Sequence, residues 1–102
     1  MDPALRAKLE SIAERHEELG EMLCAPEIAQ DKAKFLALSR EHAEIAPLSQ
    51  AMARYRELES RLREAEELLA DPDFRDMAEG DLRELKQQRE ALEKELQRLL
   101  LP

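Results

Sequence analysis

The chain has 102 residues, with 16 Lys or Arg against 24 Asp or Glu, so its formal net charge is −8 and its pI is near 4.8. Apolar residues make up 43% and charged residues 39%, too apolar for a solvated tail and unusually charged for an ordinary globule. Val, Thr and Asn are absent, β-branching is confined to Ile12, Ile28 and Ile45, and the aromatics are Phe35, Tyr55 and Phe74. A sheet lacks its usual material here, and the expected fold is all-α.

The acidic balance argues against a primary grip on phosphate backbones or anionic lipid, so neither direct nucleic-acid binding nor membrane contact is expected. The one cysteine, Cys24, excludes an internal disulfide and fits a reducing compartment. The opening MDPALRAKLE places charges where a signal peptide needs an apolar run. A single cytoplasmic domain over residues 1–102 is the expectation.

The first helix opens at Asp2-Pro3, a side-chain acceptor followed by proline at the first helical position, and is expected over 3–23. Leu5, Leu9, Ile12, His16, Leu19 and Leu23 follow heptad spacing, Gly20 invites fraying, and Pro26 ends the helix at the latest. A connector from Cys24 to Gln30 leads to a second start signal at Asp31. The next stripe runs through Phe35, Leu38, His42, Ile45, Leu48, Met52, Tyr55, Leu58, Leu62, Ala65 and Leu69, predicting a helix over 31–70. Pro47 interrupts the stripe without shifting its phase, which favours one helix kinked near Pro47 over two separate ones.

Asp71-Pro72 repeats the start signal and marks a hairpin turn, with a third helix over 72–100. Leu85, Leu92 and Leu96 are expected to face Leu58, Leu62 and Leu69, with Glu93 on the exposed face. Glu57–Arg61, Glu59–Arg63, Glu79–Arg83 and Glu90–Lys94 are spaced for ion pairs that each add about 0.2–0.5 kcal/mol to a helix. The predicted architecture is a long antiparallel helical hairpin with a shorter N-terminal helix packed along it.

Few residues offer chemistry. His16 and His42 lie on apolar stripes, and the preferred reading is two core-edge histidines that donate to neighbouring carboxylates or carbonyls. Cys24 has no cation or helix N-terminus beside it and reads as a small packing residue. Arg89, at a seam position, is expected to run its stem along apolar surface with its head in water. No catalytic, cofactor-binding or metal-binding residue is expected, and no cofactor.

Three stretches carry a resemblance: Lys8-Leu9-Glu10 through Arg15-His16-Glu17-Glu18, the run Phe35 to Glu44, and Asp71 to Ala78 continuing to Leu99-Leu100-Leu101-Pro102. Their order and spacing resemble the N-terminal domain of the bacterial peptide chain release factor 1 family, class I factors that terminate translation at UAA and UAG. The resemblance covers essentially the whole chain. His42 stands where that family usually has Tyr, and the Leu-Leu-Leu-Pro ending resembles the point where its chain leaves this domain. The Gly-Gly-Gln loop and the codon-reading tripeptide of the family have no counterpart among these residues. What the resemblance implies is a non-catalytic domain that docks near the ribosomal GTPase-associated region, by the L11 stalk base, and works with the class II release factor GTPase.

The candidate partner contact is the hairpin tip: Phe74 among Asp71, Asp73 and Arg75. Against it stands the slightly favoured reading that Phe74 folds back onto Leu69 or Met77 and closes the turn. The competing function is a free-standing acidic helical-hairpin or coiled-coil adaptor, whose seams and charge would look much the same.

Overall fold

The computed structural model describes residues 1–102, is about 85% helical and contains no strand. Helix α1 spans Pro3–Leu23, α2 Pro26–Ala29, α3 Lys32–Leu68 and α4 Arg75–Leu99. No helix is long and apolar enough to cross a membrane. Contacts gather the chain into two units, Met1–Met52 and Ala53–Pro102, with α3 contributing to both.

In the first unit α1 packs along α3. The Asp2 carboxylate accepts from the Leu5 N–H at 3.0 Å, and Pro3 holds the first helical position. Gly20 does not fray α1, which runs three residues further. The connector contains a single turn, α2, begun by Pro26 at its first position. Cys24 is exposed, not packed as expected: it is the C-cap of α1, one residue past the end of the helix's stripe. At the head of α3 the Asp31 carboxylate accepts from the Lys34 N–H at 3.1 Å. Leu9, Ala13, Leu19, Leu48, Ala51 and Met52 are this unit's buried residues.

Helix α3 passes Pro47 without a break, so the stripe that kept its phase is one helix. Proline leaves the carbonyl of Ala43 without its helical donor, and Ala43 and Pro47 are both exposed.

In the second unit α3 and α4 form the hairpin. Leu58, Leu62, Ala65, Leu82 and Leu85 make its core, with Leu69 packed against them, so the Leu58/Leu62/Leu69 to Leu85 pairing is as read from the sequence. Leu96 is fully buried, whereas Leu92 is only half-buried. Two of the spaced pairs form: Arg61 reaches Glu57 at 3.3 Å and Lys94 lies 3.9 Å from Glu90.

The turn differs from its sequence reading in one respect. Asp71-Pro72 opens no helix: the Asp71 carboxylate accepts from the Asp73 N–H at 3.0 Å and its carbonyl from the Phe74 N–H at 3.1 Å. These bonds close a turn of their own, so α4 starts three residues later, with Phe74 as N-cap.

Candidate functional site

Two side-chain pairs organise the units from within. Between α1 and α3, the rings of His16 and His42 stack with centroids 4.1 Å apart and planes 17° from parallel. They do not donate to neighbouring carboxylates, as the sequence suggested; each ring's face is covered by the other. His16 Nε2 is buried with no hydrogen-bond partner. Burial, and secondarily the neighbouring ring, pushes the His16 pKa below its usual 6.5, holding it neutral. Beside the stack, Arg15 grips Glu41 with two bonds of 2.7 and 3.0 Å. That bond is the main reason Glu41 stays ionised to lower pH than an ordinary glutamate. Each member of the ion pair immediately precedes a histidine of the stack, which is the sequence signal that identifies it.

In the second unit Tyr55 is 2% exposed, and its hydroxyl donates to Glu93 Oε1 at 2.6 Å. Burial first, then the Glu93 bond, raises the phenol well above its usual pKa. Glu93 is therefore half-buried and engaged, not a free surface carboxylate. Tyr55 is the buried aromatic of the α3 stripe, whereas Phe35 is 40% exposed, and a buried phenol must find an acceptor. That requirement is a signal for an acceptor opposite Tyr55, but spacing alone does not name it. Arg89 is half-buried, close enough for its charge to act on Tyr55.

The predicted contact residues Asp71, Asp73, Phe74 and Arg75 do share one turn, but with unequal freedom. Asp71 holds the turn, and Arg75 Nε donates to the Leu69 carbonyl at 3.1 Å, covering an otherwise open end of α3. Phe74 is 45% exposed and Met77 53%, and the core closes without them. The Phe74 ring is thus outside the buried α3–α4 core. Its ring stands at the tip beside Asp73, which is also exposed.

Elsewhere the hairpin offers two hollows. One, of about 590 Å³, is lined by Ala53, Arg54, Glu57, Leu58, Arg61, Gln88 and Leu92. The other, of about 410 Å³, has Glu64, Leu68, Asp81 and Glu84 in its wall. Neither brings a nucleophile against a base. No group of three or more His, Cys, Asp or Glu is placed to hold a metal, and the stacked imidazoles lie side by side instead of converging on a point.

Helices clasped by internal pairs, with charge on their outer faces and an exposed ring at the hairpin tip, define an all-α domain. The chain belongs to the PCRF domain family, the domain of peptide chain release factors, whose profile matches residues 12–102. In class I release factors this domain is non-catalytic, and membership gives the chain a release-factor-type role in translation termination and an interaction with the ribosome. No solved structure matches the chain.

Proposed function

We propose that the chain is the N-terminal domain of a class I factor of the UAA- and UAG-reading type, and that it docks on the ribosome near the GTPase-associated region, by the L11 stalk base. There it works with the class II release factor GTPase, while codon reading and peptide release belong to other parts of the factor. The observation that supports the release-factor part of this reading is the PCRF match over residues 12–102; the UAA/UAG type rests on the resemblance alone. The charge of −8 supports it, because an acidic domain is steered toward basic ribosomal proteins. Within the domain, the turn from Asp71 to Arg75 is the proposed contact, with Phe74 as its anchor.

Ribosome docking is tested with a fluorophore on Cys24, which is the chain's lone cysteine and exposed. The labelled chain should bind ribosomes, bind more weakly to ribosomes lacking L11, and lose affinity on Phe74→Ala with its melting temperature nearly unchanged. Equal binding with and without L11 refutes the stalk-base placement. A lowered melting temperature with unaltered binding refutes the anchor.

A further inference from the structure

The stretch 32–40, at the head of α3, reverses the character of the chain. It carries Lys32, Lys34 and Arg40 and no acidic residue, in a molecule whose net charge is −8. None of the three cations is in an ion pair. Every residue from 32 to 37 is exposed although the segment is helical, including Phe35 at 40% and Leu36 at 51%. Two of the chain's three aromatics are therefore outside its core, and this one lies far in sequence from the hairpin tip.

Helical geometry orders these residues. Lys32, Phe35, Leu36, Ser39 and Arg40 stand at i, i+3, i+4, i+7 and i+8, a single stripe with two apolar side chains between two cations. The cations are about 12 Å apart along the axis at 1.5 Å per residue. Phe35 and Leu36 are not among the buried core residues of their unit, and each leaves 40–51% of its surface exposed. An apolar centre with a charged rim is the anatomy of a protein contact, and here the rim selects for acid.

We propose that this stripe docks an acidic amphipathic helix of another protein, apolar residues covering Phe35 and Leu36 and carboxylates meeting Lys32 and Arg40. A phosphate backbone would use the cations but leave Leu36 wet. The proposal goes beyond the release-factor reading and does not depend on it, because that reading places its contact at Phe74.

The test is an NMR titration of the full ¹⁵N-labelled chain with a synthetic helical peptide bearing Leu on one face and Glu on its flanks. Controls are the same peptide with Lys on its flanks and a single-stranded RNA oligonucleotide of matched charge. Amide shifts should centre on residues 32–40 with the acidic peptide alone. Affinity should fall about tenfold in Phe35→Ser/Leu36→Ser and in Lys32→Glu/Arg40→Glu, with unchanged circular dichroism. No shifts, shifts centred elsewhere, or equal binding of the Lys-flanked peptide overturns the proposal. RNA binding at the stripe with equal or higher affinity reassigns it to phosphate, and concentration-dependent shifts without peptide reassign it to self-association.

Discussion

Glu93 shows how one side chain changes meaning when its neighbour is known. Read from sequence it belongs to a solvated face, where truncation moves stability by roughly 0.5 kcal/mol or less. Bonded to the buried Tyr55 hydroxyl at 2.6 Å, it is the acceptor that makes that burial tolerable. Glu93→Ala should cost about 1–3 kcal/mol in urea unfolding, because it removes the 2.6 Å acceptor of a buried hydroxyl, and adding Tyr55→Phe to that variant should cost little more. The raised Tyr55 pKa also sets a pH limit. Its stabilising contribution is complete below the unfolded phenol value of 10.0 and is lost as pH climbs above it. An ultraviolet titration should find no phenolate before the chain unfolds. The histidine stack works in the other direction. His16 is depressed in the folded state, so its contribution is present above 6.5 and is lost as pH falls below it. Glu41, also depressed, adds a loss only further down, below 4.5. The melting temperature should therefore drop as pH falls below 6.5, and His16→Phe should flatten that drop while leaving the fall below 4.5 in place.

At the scale of the elements, α3 is the member on which both units depend. Pro47 lies inside it, exposed, and costs a helical hydrogen bond. Pro47→Ala should raise stability by about 1–3 kcal/mol with no loss of helicity; a lower melting temperature would mean that the imino ring holds a bend the fold requires. In the α3–α4 seam, Leu62→Ala should cost about 2–4 kcal/mol and the half-buried Leu92→Ala roughly half that. The element pattern was largely legible: Asp2 and Asp31 cap where their side-chain chemistry says they should, and an unshifted stripe through Pro47 meant one helix. The start of α4 was not, because Asp followed by Pro serves a helix cap and a closed turn equally well, and only the bonds from Asp73 and Phe74 decide between them. The clasp residues were hidden for a related reason. Heptad spacing says which face a residue occupies, but the partner it meets there depends on how the helices register, as His16 with His42 and Tyr55 with Glu93 both show. The tip residues were gathered correctly into one turn, yet only the structure separates Asp71 and Arg75, which hold it, from Phe74, which stands free of the core.

For the molecule as a whole, membership in the PCRF domain family marks a non-catalytic domain of a release factor. The domain is proposed to serve a factor acting at UAA and UAG, and peptide release from programmed ribosomes is the decisive measurement. The 102-residue chain should release no peptide at any stop codon. The full product of the gene that encodes it should release at UAA and UAG and leave UGA unread. Codon-dependent release by the chain alone, or release by the full product at UGA, would contradict the account.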